Sequence, residues 1–149
     1  MKNQNIAIIG AGIGGLASAI LLARQGCSVT IYEQAERAEP VGAGFLLQPP
    51  GQAVLSELGV LDTILQDAVP IFGLQSRTVN GYSILDLDYR ELKGTQRHGL
   101  GVQRRTIHDA LYRAAEKMER IEFRWGHAVD HCETTDQHAT VTSNERTDQ

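Results

Sequence analysis

The chain has 149 residues, enough for one compact domain with a buried hydrophobic core. Its 42% hydrophobic and 21% charged residues exclude wholesale disorder. The formal net charge of −4, without a run of lysine or arginine, argues against a nucleic-acid-binding surface.

We found no targeting or membrane signal in the sequence. The apolar run at residues 6–9 stops at a glycine and is too short for a signal-peptide core or a membrane span. Cys27 and Cys132 lie far apart, which fits a reduced protein. We therefore expect a cytoplasmic protein without membrane association. The histidines are scattered without metal-ligand spacing, so no metal site is predicted.

The first part of the chain predicts a strand, a helix and a second strand. Residues 5–9 form a short apolar run bounded by glycine, as in a buried strand. The apolar residues that follow recur at helical spacing: Ile13, Leu16, Ala17, Ile20 and Leu21. Gly26 ends this helix, and residues 28–32 form the next strand. A βαβ unit of this kind makes its two strands parallel.

Three glycines, Gly10, Gly12 and Gly15, form the pattern G-x-G-x-x-G between the first strand and the helix. The first glycine permits a tight turn, the second lets the backbone approach a pyrophosphate, and the third lets helix and strand pack closely. The pyrophosphate would bind at the helix N-terminus, and Glu33 at the end of the second strand would accept hydrogen bonds from ribose hydroxyls. The pattern predicts a dinucleotide site, and its spacing fits both NAD and FAD.

After Glu33 the regular alternation stops. Residues 34–51 are rich in glycine and proline and predict a long functional loop. The elements predicted next are a helix over 52–58, a turn or two near 61–66, and a hairpin of residues 71–79 and 82–87. Asn80–Gly81 predicts a type I′ turn in that hairpin, and residues 88–99 predict no regular element. The last predicted elements are a helix over 106–118, a third parallel strand over 121–125, a hairpin of 129–132 and 139–142, and a frayed end.

The opening segment "GAGIGGLASAILLARQGCSVTIYEQ" resembles the FAD-binding start of the para-hydroxybenzoate hydroxylase-like flavoprotein monooxygenases, the aromatic-ring hydroxylases. Three later segments are similar to the same family: "VGAGFLLQPPGQAVLSELGVLD", "GVQRRTIHDALYRAA" and "FRWGHAVDHCE". The resemblance covers essentially the whole chain in the family's order. It implies an α/β, Rossmann-like FAD-binding fold with a parallel sheet and additional β-hairpins.

The resemblance also implies which residues bind FAD. Those assigned to the ADP end are Gly10, Gly12, Ile13, Gly14 and Gly15 for the pyrophosphate, Glu33 for the ribose, and the backbone of Val129 for the adenine. Those assigned to the flavin end are Gly42, Ala43 and Gly44, with Arg104 facing the phosphates or the ribityl chain. For Arg104 the alternative is an ordinary surface arginine. One departure is Pro50, which stands where the family usually has asparagine.

A second departure concerns the extent of the chain. Family members continue into Ala-Asp-Gly and Gly-Asp segments, and this sequence contains neither Asp-Gly nor Gly-Asp. We therefore expect residues 1–149 to be the N-terminal part of an FAD-binding domain, with 71–87 as the start of the substrate-side sheet. Tyr82, Asp88 and Tyr89 are polar, but ordinary strand and loop roles fit them better, so no catalytic residue is assigned.

The sequence leaves three functions open. The first is the FAD-binding portion of a monooxygenase that uses NADH or NADPH and oxygen to hydroxylate a small aromatic substrate. The second is a module that binds FAD or ADP without catalysis, with an exposed sheet edge completed by a second copy or a partner chain. The third, an NAD-binding dehydrogenase domain, is disfavoured because the segments after Glu33 do not continue a regular βαβ alternation.

Overall fold

The protein is described by a computed structural model that covers residues 4–38, 43–93, 97–135 and 138–143, and the backbone of 146–148. The elements in chain order are β1 (Asn5–Ile9), α1 (Ile13–Arg24), β2 (Ser28–Glu33), β3 (Gly44–Leu47), α2 (Pro49–Glu57), α3 (Leu61–Leu65), β4 (Val69–Ile71), β5 (Gly73–Arg77), β6 (Ser83–Asp88), a 3₁₀ turn (Tyr89–Glu91), β7 (Gly99–Gln103), α4 (Arg104–Glu116), β8 (Ile121–Trp125), β9 (Val129–Thr134), β10 (Ala139–Ser143) and β11 (Arg146–Asp148). No helix in these ranges is long and apolar enough to span a membrane. The chain divides into two compact units, Met1–Pro40 with Leu111–Gln149, and Val41–Ala110.

The first unit is built on a parallel sheet in the order β1-β2-β8. Asn5 pairs with Ser28 and Val29 pairs with Ile121, so both pairs of strands run parallel. Helix α1 connects β1 to β2 and packs on the sheet. The predicted βαβ unit and the third parallel strand are therefore confirmed. On β8, Phe123 and Trp125 stack at 5.4 Å between ring centroids, and Tyr112 of α4 contacts both rings edge-on.

The buried face of α1 differs from the one predicted. The residues it buries are Leu16, Ala19, Ile20 and Ala23, which follow the i, i+3, i+4, i+7 rule. Leu21, predicted on the buried face, is 36% exposed. The helix contains apolar residues all round, so its sequence admits several faces, and packing on the sheet selects one.

The first unit also contains an antiparallel sheet in the order β11-β10-β9. The predicted hairpin of β9 and β10 is confirmed, with Val141 opposite Cys132. The predicted frayed end was wrong, because β11 pairs with β10 from Val141↔Asp148 to Ser143↔Arg146. Backbone hydrogen bonds to β10 order this polar segment, and its composition gives no sign of them.

The second unit contains an antiparallel sheet in the order β3-β7-β4 and the two-stranded sheet β5-β6. The single long loop predicted over 34–51 was wrong, because that range includes β3 and the start of α2. Helix α2 begins at Pro49, and proline is well tolerated in the first turn since no intrahelical partner exists there for its missing N–H. Strand β4 was not predicted as a separate element, because its Ile71 was assigned to the strand predicted over 71–79. The expectation of no regular element over 88–99 was wrong, since that range includes the 3₁₀ turn and the first residue of β7, a strand that was not predicted.

The predicted β5–β6 hairpin is confirmed, but its turn is longer than predicted. Gly81 N–H donates to the Thr78 carbonyl at 2.9 Å, and Thr78 N–H donates to the Tyr82 carbonyl at 2.8 Å. Gly81 has φ +85°, so the loop holds three residues with glycine in the left-handed position. The prediction of a two-residue type I′ turn at Asn80–Gly81 was therefore wrong.

Helix α4 begins at Arg104, two residues before the predicted start at Thr106, directly after β7. It ends at Glu116 rather than Met118. Its buried residues are Ile107, His108, Ala110, Leu111 and Ala115, close to the predicted face.

Candidate cofactor-binding site

The glycine turn between β1 and α1 is closely packed. Gly10 has φ +96°, a conformation that favours glycine, and its N–H donates to the Tyr32 carbonyl at 2.7 Å. A Cβ added at Gly15 would lie 2.0 Å from the Gly10 carbonyl oxygen. Only a glycine at position 15 therefore allows α1 to approach the turn this closely.

The N-terminus of α1 faces open space. The N-cap residue is Gly12, which has no side chain to accept hydrogen bonds, and no acidic residue lies in the first turn. A Cβ added at Gly12 or Gly14 would meet no atom within 4 Å. Uncapped N–H groups and the helix dipole favour an anion at such a position. The space and the charge both fit a pyrophosphate group.

Glu33 ties the end of β2 to the glycine turn. Its Oε2 accepts a hydrogen bond from the Ala11 N–H at 2.8 Å, and its Oε1 accepts one from the Ala35 N–H at 2.9 Å. Each carboxylate oxygen retains a second lone pair for a further donor. The half-buried carboxylate is thus fixed beside the turn and can still accept from a ligand hydroxyl.

A cavity of about 240 Å³ lies beside this carboxylate in the first unit. Its lining residues are Ile9, Gly10, Tyr32, Glu33, Gln34, His127, Ala128 and Val129. Three predicted site residues, Gly10, Glu33 and Val129, are therefore brought together from three separate segments. Ile13, also predicted to bind the pyrophosphate, is the first residue of α1 and is half-buried.

The cavity is also lined by Tyr32, Gln34 and His127, which were not among the predicted site residues. The signal for His127 was available in Gly126, a glycine directly after a predicted strand. Gly126 has φ +71° and turns the chain back, so the residue after it is set beside the end of β2.

The residues predicted for the flavin end belong to the second unit. Gly44 is the first residue of β3 and pairs with Gln103, so Arg104 starts α4 next to this pair. Arg104 and Ala43 are exposed, and Gly42 lies outside the described residues. A cavity of about 510 Å³ in this unit is lined mainly by apolar residues: Gly44, Phe45, Leu46, Asp67, Val69, Ile71, Leu74, Gly101, Val102 and Gln103.

Of the three polar residues near the substrate-side sheet, Tyr89 and Asp88 have side chains with hydrogen-bond partners. The buried Tyr89 donates its hydroxyl to Gln48 Oε1 at 2.5 Å. Asp88 accepts from the Arg90 N–H at 2.9 Å, and the Arg90 guanidinium holds the pKa of Asp88 at about 2. These contacts stabilise the strand end, and Tyr82 is 75% exposed in the hairpin. We assign none of them to catalysis.

The chain matches the FAD binding domain family over residues 3–149. It is 32% identical over 126 residues to the FAD-dependent monooxygenase pytG of Aspergillus terreus, covering 84% of this chain and 38% of that protein. It is also 32% identical over 126 residues to 3-hydroxybenzoate 6-hydroxylase of Klebsiella oxytoca, covering 83% of this chain and 32% of that protein. The crystal structure of p-nitrophenol 4-monooxygenase from Pseudomonas putida superposes with a TM-score of 0.82 at 25% identity, covering 96% of this chain and 37% of that one.

The chain thus spans less than two-fifths of the length of these relatives. The match covers nearly every residue, both units included, so the predicted resemblance and the predicted FAD-binding fold are confirmed. The chain belongs to the FAD binding domain family found in FAD-dependent aromatic hydroxylases, and its cofactor is FAD.

Proposed function

We propose that the first unit binds the ADP half of FAD, as part of a monooxygenase that takes electrons from NADH or NADPH and uses oxygen to hydroxylate a small aromatic substrate. One observation carries the proposal: the Glu33 carboxylate is held on Ala11, next to the open space over Gly12 and Gly14. The names of two relatives, a hydroxybenzoate hydroxylase and a nitrophenol monooxygenase, support the aromatic substrate class.

The residues of the first unit would divide the ADP moiety between them. The turn from Gly10 to Gly15 would hold the pyrophosphate at the N-terminus of α1, where a side chain would obstruct the approach of the phosphates. Glu33 would accept hydrogen bonds from the ribose hydroxyls, and its negative charge would disfavour a 2′-phosphate on that ribose. Val129 would place its backbone at the adenine. When bound, the flavin supplies the redox chemistry, while this chain supplies binding and orientation.

The second unit supports a role at the flavin end. Gly44 lines the apolar cavity, where a residue without a side chain leaves room for a flat ring. Arg104 at the start of α4 would contribute a positive charge toward the phosphates or the ribityl chain, while Gly42 and Ala43 precede β3.

The exposed strand edges support the proposal that another polypeptide chain completes the sheet. Ile84 on β6 is 67% exposed, and β5 and β6 pair only with each other among the described strands. A partner of this kind would be a second copy or another chain that pairs along the exposed edge.

Equilibrium titration tests the ADP-half proposal. The emission of Trp125, the single tryptophan, reports binding of FAD, ADP, FMN and NAD to the purified chain. We expect FAD and ADP to compete for one site and FMN, which lacks the adenosine and one of the two phosphates, to bind more weakly. Glu33→Gln removes the charge and is expected to weaken ADP binding about tenfold.

Glu36→Gln is the matched control, because Glu36 is an exposed acid just past the same strand. It should leave ADP affinity unchanged. Tighter binding of NAD than of FAD, or equal ADP affinities for the two variants, would overturn the proposal. Catalysis is a separate readout: a yellow protein that oxidises NADH or NADPH supports the monooxygenase, and FAD binding without such oxidation supports a binding module.

A further inference from the structure

His127 lines the same cavity as Glu33. Strand β8 ends at Trp125, and the left-handed Gly126 turns the chain toward the end of β2. Gly126 N–H then donates to the Ala35 carbonyl, and His127 N–H donates to the Glu33 carbonyl, each at 2.9 Å. Two backbone hydrogen bonds therefore fix His127 directly beside the residue proposed to bind the ribose.

The tautomer of the His127 ring follows from its own hydrogen bond. Nδ1 lies 2.9 Å from the carbonyl oxygen of Trp125. A carbonyl oxygen can only accept, so Nδ1 carries the proton, and in the neutral ring Nε2 is the acceptor nitrogen. An edge-on contact with Tyr32, 6.4 Å between centroids at 66°, orients the ring further. The half-buried His127, which lines the cavity, thus has one acceptor nitrogen of defined identity.

Adenine and hypoxanthine differ at the position that such an acceptor can recognise. Adenine carries an exocyclic amine at position 6, which is a donor, whereas hypoxanthine carries an oxygen there, which is an acceptor. An acceptor nitrogen can accept a hydrogen bond from the adenine amine. The oxygen of hypoxanthine would instead face that nitrogen as a second acceptor. Mismatches of this kind cost more than the loss of one hydrogen bond, since both groups stay desolvated without partners.

We infer that His127 is a base-positioning and specificity residue, whose Nε2 accepts a hydrogen bond from the exocyclic amine of the adenine of FAD. The inference rests on the proposed function, because it assumes that the cavity takes the ADP end of the cofactor. It adds a side-chain determinant of base identity to a site whose other predicted base contact, Val129, is through backbone.

Titration of the full chain with ADP and with inosine diphosphate tests the inference. The wild type is expected to bind ADP at least about tenfold more tightly than inosine diphosphate. His127→Phe keeps a ring of similar shape, and it is expected to lower ADP affinity about tenfold and change inosine diphosphate affinity less than about twofold. The preference for ADP should therefore collapse. A merely structural role would weaken both ligands equally and preserve the preference, which would overturn the inference.

His131→Phe is the matched control, because His131 is exposed on β9, 3.1 Å from Glu133, and does not line the cavity. Its preference for ADP should equal that of the wild type. A second measurement needs no variant: ¹⁵N shifts of the imidazole report the tautomer. We expect a protonated Nδ1 in the free protein and a shift of Nε2 on adding ADP but not inosine diphosphate. A protonated Nε2, or equal wild-type affinities for the two ligands, would overturn the inference.

The Glu33→Gln titration separates this inference from the proposed function. The inference fails while the proposed function stands in one case: the wild type binds ADP, Glu33→Gln weakens ADP binding, and His127→Phe keeps the preference for ADP over inosine diphosphate. If the wild type binds neither FAD nor ADP, the proposed function fails.

Discussion

Replacing Gly15 with alanine places a methyl group against the backbone of the glycine turn. The added Cβ would lie 2.0 Å from the Gly10 carbonyl oxygen and 3.3 Å from Cγ2 of Ile8. The carbonyl is part of a tight turn and cannot rotate away, so α1 must shift from β1. Overpacking costs about 1–3 kcal/mol, and a backbone clash this short belongs at the upper end. Alanine regains up to about 1 kcal/mol of helix propensity, which leaves a net loss of about 2 kcal/mol in the free energy of unfolding.

Gly14→Ala is the matched control for this substitution. It makes the same change one residue earlier in the same helix, where an added Cβ meets no atom within 4 Å. Helix propensity alone then applies, so the free energy of unfolding should stay equal or rise by up to about 1 kcal/mol. Urea unfolding followed by circular dichroism measures both variants, and their free energies of unfolding should differ by about 2–3 kcal/mol, seen as different midpoints at equal m-value. Equal midpoints would refute the close-packing role of Gly15.

Three further predictions concern binding, a turn and a carboxylate. The Cβ added by Gly12→Ala meets no neighbouring atom, so this N-cap change should cost less than about 1 kcal/mol in the free energy of unfolding. If the pyrophosphate approaches there, the same change should weaken ADP binding, measured by calorimetry, at least about tenfold. Gly81→Ala strains the φ of +85° and should lower the free energy of unfolding by about 1 kcal/mol in urea, with Gly81→Asn costing less. Because Arg90 holds the pKa of Asp88 at about 2 against the usual 3.8, the ionised carboxylate should stabilise the protein above about pH 4 and lose that effect as the pH falls toward 2. NMR titration of the carboxyl measures this pKa, Arg90→Ala should raise it toward 3.8, and a value near 3.8 in the wild type would contradict the prediction.

The sequence determined those features whose cause is local. Apolar runs and helical spacing were enough to predict β1, α1, β2 and β8, because each pattern lies within one contiguous segment. The glycine pattern predicted both the turn at Gly10 and the close packing at Gly15, since these depend on the missing side chain itself. The family was likewise evident from motifs that each occupy a short stretch.

The tertiary structure decided what depends on partners distant in sequence. Strands β3, β4 and β7 form because they pair with one another, and glycines or a proline within them conceal any strand pattern. The buried face of α1 was set by the sheet beneath it, since several faces of the helix are apolar. The hydrogen bond from Ala11 to Glu33 and the placement of His127 beside that residue also join distant segments. Local sequence specifies the preferences of each segment, whereas hydrogen bonding and packing between segments select the cavity and the side chains that line it.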